Sequence, residues 1–322
     1  MAGQRGVAPD AHEERPTEAN CRAFSLKFYV NERLQKLAES LLRSGTIPLA
    51  PHRSVARTGT SGVAAATGRS EEKTMEPMTK SRIQMFGAWC AIGYLAALFI
   101  GWGAIAGFLP PTAPSADANQ IAALYQSDYT RIRIAMLVVM LAALIFIPFA
   151  AVMSQFLARI EGTAGVLTYT FLLGAAGNMV LTFYPAIWWL TAAFRPDRRA
   201  ELIYLMNDMA WLQFLGGITM YLAMPLAVMV AALCDKSPTP VFPRWCGYAN
   251  GWMALTIVPD QLLFFFHRGP FAWNGIFGVW VPVVVFSGFF IVNFIALRQA
   301  VLRDRASIDS LPNPQDSAAQ RV

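Results

Sequence analysis

Residues 134–157, IAMLVVMLAALIFIPFAAVMSQFL, decide the fold of this chain, because they run for 24 positions without a charged side chain. At about 1.5 Å per residue such a helix is roughly 36 Å long, enough to cross about 30 Å of hydrocarbon. In lipid every backbone amide must find its partner inside the segment, which only helices and closed barrels achieve. Barrel strands would show segments of about ten residues alternating between apolar and polar, and this run is uniformly apolar.

Working outward from it, five more runs of the same kind can be read. They cover about 86–109 (FGAWCAIGYLAALFIGWGAIAGFL), 166–193, 209–233, 246–266 and 275–297. The whole composition agrees, with 55% hydrophobic residues, 14% charged ones and a mean hydropathy of +0.41. A soluble domain carries about 25% charged residues. The expected fold is therefore all-α, a polytopic bundle of six transmembrane helices over residues 78–300, followed by a cytoplasmic tail at 301–322.

Residues 1–77 read as a polar, largely disordered tail. The first 74 carry 11 Lys or Arg and 8 Asp or Glu, without an apolar core for a signal peptide. Residues 58–70, TGTSGVAAATGRS, have linker composition. Residues 31–43, NERLQKLAESLLR, place Leu34, Leu37 and Leu41 along one helical face, which predicts an amphipathic helix on the inner leaflet. The competing reading starts the protein at Met75 or Met78, directly before the first span.

Orientation follows from basic residues near the span ends. Lys80 and Arg82 precede the first span, and the connection after it has no basic residue until Arg131. Both termini are therefore expected in the cytoplasm of a bacterial inner membrane, with 8 basic flanking residues inside against 6 outside. The long connection from Pro110 has Ser115 and Asp117 as helix starts and Ile121, Leu124 and Tyr125 at helical spacing. It predicts a short amphipathic helix, either a surface loop resting on the bundle or a lid.

Ionisable groups inside spans are costly, so they are the candidate functional residues. Asp260 lies in TIVPDQLLFFFHR, about 9 Å from the outer end of the fifth run, and Asp208 begins the fourth. His267, the one histidine outside the N-terminal tail, and Arg268 follow in FFFHRGPFAWNG, whose Gly269-Pro270 and Asn274-Gly275 predict an exterior turn. These four, Asp260, His267, Arg268 and Asp208, form the predicted polar vestibule. The competing readings make Asp208 a helix N-cap and pair Asp260 with Arg268 or Arg131. Trp188, Trp189, Trp211, Trp273 and Trp280 are placed in the interfacial aromatic belt.

Other expectations concern packing. Gly103/Gly107 and Gly247/Gly251 make G-x-x-x-G steps for close helix contact, within the bundle or to a helical partner or second copy. Asn178, Asn250, Gln261 and Asn293 are expected to hydrogen-bond between helices, and Pro148, Pro185, Pro225, Pro259 and Pro282 to interrupt five spans. Cys90, Cys234 and Cys246 read as free packing residues.

The chain has no P-loop, no G-x-S-x-G and no H-E-x-x-H, and the sequence predicts no cofactor, metal or nucleic-acid partner. Asp208 and Asp260 lack the flanking Tyr and Gly-x-Gly of intramembrane aspartyl proteases. FPRWCGYANGW from Phe242, GPFAWNGIFGVWVP from Gly269 and YQSDYTRIRIAM from Tyr125 resemble a group of uncharacterised multi-pass membrane proteins of actinobacteria and related soil bacteria. That resemblance implies the six-span topology over about residues 80–300 and carries no reaction or substrate. The expected partners are the lipid bilayer and a small ligand. Two functions stay open: binding or passage of a small apolar or amphipathic molecule, or a membrane enzyme or accessory subunit acting on a lipid-soluble substrate through Asp208, Asp260 and His267.

Overall fold

The computed structural model describes residues 76–310, and all regular structure among them is helical. The amphipathic segment 31–43 and the linker lie outside the described residues. Helix α1 spans Pro77–Leu98 and continues as a π-helical turn, Phe99–Ile105. Helix α2 spans Ala118–Glu161, α3 Val166–Phe194, α4 Ala200–Gly216, α5 Ala223–Cys234 and α6 Arg244–Ile257, while α7 spans Val281–Asp309.

Five helical stretches are long and apolar enough to cross a membrane: Pro77–Ile105, Ala118–Glu161, Val166–Phe194, Ala200–Cys234 and Ile276–Asp309. The predicted run 246–266 differs from these. Pro259 removes a backbone donor, and the helix tightens from α6 into a 3-10 segment, Val258–Phe265. Together the two pieces are roughly 37 Å long at about 1.5 and 2.0 Å rise per residue, so the reach of a span is kept in two geometries.

Other boundaries also move. The expected short helix after the first span exists, with Asp117 as its N-cap and Gln120 returning the bond to the Asp117 amide at 3.1 Å. It runs on into the second span as one 44-residue helix, bent at Asp128 (φ −120°, ψ 19°). The fourth span begins at Ala200, and Asp208 lies inside α4, so it does not cap that helix. The last helix continues to Asp309, past the boundary expected at 300. Pro148 and Pro185 sit within continuous helices, whereas Pro225, Pro259 and Pro282 stand at the first turns after breaks.

The helices pack in a ring. Contacts join α1 to α2, α2 to α3, α3 to α4 and α5, α5 to α6, α6 to α7, and α7 back to α1. At one end α1, α2 and α7 meet, where Gln84 bonds Gln155 and Arg159 pairs with Asp304, and Arg303 donates to the carbonyl oxygens of Pro240 and Val241. At the opposite end Gln126 donates to Pro196 O, Arg133 to Ala193 O and Phe194 O, and Trp273 to Thr112 O.

Burial shows where the core sits and what surrounds it. On α2 the face carrying Ala135, Val139, Ala142, Phe146, Phe149 and Met153 is buried, while Leu137, Leu141 and Leu144 on the other side are 54%, 61% and 62% exposed. Phe86, Trp89, Leu173 and Val284 are exposed in the same way on other helices. Apolar surface on this scale needs an apolar surrounding, since monomeric soluble proteins rarely show contiguous patches beyond a few hundred Å².

Close approach uses different glycines from those expected. A Cβ on Gly103 would meet nothing nearer than 3.8 Å, so Gly103–Gly107 is not a packing step. Gly107 instead takes φ +69° where the π turn ends, a conformation that suits glycine. Gly87 and Gly101 press on α2, with Pro148 O and Ala135 O each 2.9 Å from the Cβ position. Gly247 and Gly251 do pack closely, against Ala232, Leu233 and Met229.

Candidate functional site

Four stretches of the described residues leave α-helical geometry. Wider turns at Phe99–Ile105 and Ile276–Trp280, and tighter ones at Gly217–Thr219 and Val258–Phe265, interrupt the regular ladder. Turns of this kind recur at functional positions because they redirect side chains and backbone groups. Between them lies a cavity of about 50 Å³, room for a few waters.

Its wall is apolar and aromatic: Leu98, Phe99 and Trp102 come from the end of α1, Phe214 and Leu215 from α4, Ile257 from α6, and Pro282, Val283 and Phe286 from α7. Two hydroxyls interrupt it. Asn178 Nδ2 lies 3.3 Å from Tyr94 Oη, Tyr94 Oη lies 2.7 Å from Thr182 Oγ1, and Thr182 donates to the Asn178 carbonyl at 3.0 Å. This loop is closed on itself, so Tyr94 and Thr182 present satisfied oxygens to the cavity.

Asp260 does not line this space; it follows the wall residue Ile257 by one turn of the 3-10 segment. Ile257, Asp260 and Leu263 are all buried, at 1%, 1% and 3% exposure. That spacing of three matches the 3-10 turn, in which residues i and i+3 eclipse one another. Asp260 therefore occupies the middle of an inward stripe, about 6 Å along from the cavity residue Ile257. Neither carboxylate oxygen has a hydrogen-bond partner, nor does Asp260 form an ion pair among the described residues.

Four arginines at this end of the bundle are engaged elsewhere. Arg131 pairs with Asp128 at 3.0 Å, Arg133 and Arg198 hold carbonyls at the end of α3, and Arg199 lies 3.6 Å from Glu201. Arg268 and His267 are exposed in the turn after the 3-10 segment. Asp208 is half-buried with Oδ1 unpartnered, and its neighbour Asn207 accepts from the Tyr125 hydroxyl at 3.0 Å.

The tryptophans are arranged differently from the expected belt. Trp189, Trp211 and Trp273 are buried, with Trp102, in a cluster beneath the loops. Trp211 meets Trp102 and Trp189 edge to face at 5.9 and 5.2 Å and stacks on Trp273 at 6.3 Å. Edge contacts of this kind follow the ring quadrupoles and favour a rigid wall. Trp188 is half-buried and donates to Gln213, and Trp280 is exposed.

The sequence did not point to Trp102, Phe214, Tyr94 or Thr182 as parts of a site. The Gly216-Gly217 doublet and the two hydroxyls in mid-span were the available signals. All four expected amides do bond between segments. Asn250 and Asn293 exchange bonds at 3.3 and 3.1 Å, Asn178 reaches Tyr94, and Gln261 donates to Gly216 O at 3.0 Å. Cys90, Cys234 and Cys246 are free, and no group of three His, Cys, Asp or Glu suited to a metal occurs among the described residues.

Outside the spans, Asp235 organises the connection between α5 and α6. Burial pushes its carboxyl up, but bonds from the Ser237 hydroxyl and amide and from the Val241 amide, together with the Arg159 charge, outweigh this and hold it below the usual carboxylate range.

Among the described residues, the fold and the site define an all-helical protein with five helices able to cross a membrane, an aromatic cavity, and a buried carboxylate one 3-10 turn from a residue of its wall. No known protein family, curated protein or solved structure matches the chain.

Proposed function

We propose that this is a six-span protein of a bacterial inner membrane, with both termini in the cytoplasm, that binds or passes a small apolar or amphipathic molecule through its central cavity. An even number of crossings is supported by contacts placing the start of α1, the end of α2 and the end of α7 at one end of the ring. The stretch Arg244–Phe265 then serves as the sixth crossing. Lys80, Arg159, Arg244 and Arg303 at that end favour the cytoplasmic side.

The observation that carries the functional reading is Asp260: a buried carboxyl without a partner, one turn from a wall residue of an aromatic cavity. A group of that kind costs stability wherever it is not used. The resemblance to multi-pass proteins of soil bacteria accords with this topology and contributes no ligand.

The test uses detergent-solubilised protein and a panel of small aromatic compounds. Asp260→Asn is expected to leave thermal stability within about 1 °C and to weaken binding of polar-tailed compounds by at least about tenfold. Unchanged affinity across the panel would remove Asp260 from the site. Cysteines introduced at Ser115 and Ser310, in a chain freed of its own four, should label from opposite sides of intact membranes.

A further inference from the structure

We infer that the ligand of this site is a lipophilic organic cation, a protonated amine or quaternary ammonium, and that it binds in exchange for the proton of Asp260. This rests on the cavity reading above and names the class of molecule that the cavity takes.

The argument is one of charge. An ionised carboxylate in an apolar surrounding is too costly to persist alone, so at rest Asp260 holds its proton. The 3-10 segment packs against α4, the end of α6 and the turn Ile276–Trp280. The titratable groups of α4 are Glu201, Tyr204 and Asp208, Ile276–Trp280 has none, and α6 carries Arg244 at its far terminus, with Cys246 and Tyr248 close behind. His267 and Arg268 follow in the exposed turn. None of these forms an ion pair with Asp260; Arg131, Arg133, Arg198 and Arg199 hold carbonyls or acids of their own, and Arg195 lies over the Phe194 ring. The positive charge that would let Asp260 ionise must therefore come from the ligand.

The wall supports the same class. Trp102, Phe99, Phe214 and Phe286 line the cavity, and aromatic rings attract a cation through their quadrupole and accept an apolar body. An anion approaching Asp260 would meet a carboxyl group that forms no ion pair among the described residues. Phe99, Phe214, Val283 and Phe286 are half-buried, so the wall also reaches the surface there. At about 50 Å³ the cavity is smaller than an organic cation, which requires it to widen toward Asp260 at the irregular turns.

The exchange balances. The O–H bond of Asp260 breaks, its proton passes to bulk water, and the carboxylate left behind pairs with the incoming cation. The site stays neutral throughout. In the return step a proton from water displaces the cation.

The test measures protons released on binding, in weakly buffered detergent solution, using benzyltrimethylammonium and its neutral isostere neopentylbenzene. Wild-type protein should bind the cation and release about one proton, with affinity falling up to about tenfold for each pH unit of acidification. Asp260→Asn should release none, whereas Asp260→Glu, which keeps the acid, should restore release. Asp208→Asn should behave as wild type.

If wild-type protein binds the neutral isostere but not the cation, or binds the cation without releasing a proton, the exchange is overturned and the cavity reading stands. Release that persists undiminished in Asp260→Asn also overturns it. If neither compound binds, the cavity reading falls as well.

Discussion

Replacing Asp260 with leucine should make the protein more stable. Leucine keeps the outline of aspartate, branched at the same carbon, and exchanges two oxygens for two methyl groups. The position lies between Ile257 and Leu263 in a buried stripe, and both oxygens lack partners. An unsatisfied buried polar group costs about 1–3 kcal/mol, and in Asp260→Leu that cost disappears while apolar contact is gained. For a domain of this size about 1 kcal/mol moves the midpoint by roughly 2–4 °C. The expected rise is therefore about 2–12 °C, read by tryptophan fluorescence during thermal unfolding in detergent. The same protein should lose cation binding, as expected where a residue is kept for function at the expense of stability. A fall in midpoint of more than a few degrees would refute the reasoning. It would mean that the carboxyl has a partner, since breaking a buried pair costs about 3–5 kcal/mol.

Three further outcomes follow from contacts elsewhere. Glu161 at the end of α2 accepts from the amides of Gly165, Leu167 and Thr168 and from the Thr168 hydroxyl, satisfying the first turn of α3. Glu161→Ala should cost about 1–2 kcal/mol in the same unfolding assay. Asn293→Leu strands Asn250 and should destabilise by about 1–3 kcal/mol, whereas adding Asn250→Leu should recover much of the loss in a double-mutant cycle. The Asp235 carboxyl is held below its unfolded value near 3.8, so its contribution is fully present above that value and is lost as pH falls through the lower folded one. Unfolding midpoints measured from pH 6 down to about pH 3 should decline less steeply in Asp235→Asn than in wild type.

The sequence by itself determined the class of the fold. A helix in hydrocarbon satisfies its own backbone, so the evidence for it is local: about twenty consecutive apolar side chains, readable without any partner. The run at 134–157 carries that information alone, and Asp117 suits a helix start in the same local way. The amides Asn178, Asn250, Gln261 and Asn293 were also legible, because a polar group at that depth must bond to something.

What it bonds to was decided by the tertiary structure. The cavity forms among stretches that leave α-helical geometry, and its wall is drawn from α1, α3, α4, α6 and α7, which are far apart in sequence. Whether Trp189 and Trp211 lie in an interfacial belt or a buried cluster depends on which helices surround them, since the same ring suits both places. Pro148 and Pro259 look alike in the sequence, yet one sits in an unbroken helix and the other opens a 3-10 segment, because neighbouring packing determines whether the freed carbonyl can be accommodated. Asp260 shows the division most clearly. Its cost was visible from the residues around it, but its lack of any partner is a property of the whole ring, since only the assembled helices fix where Arg131, Arg133, Arg198 and Arg199 place their charges.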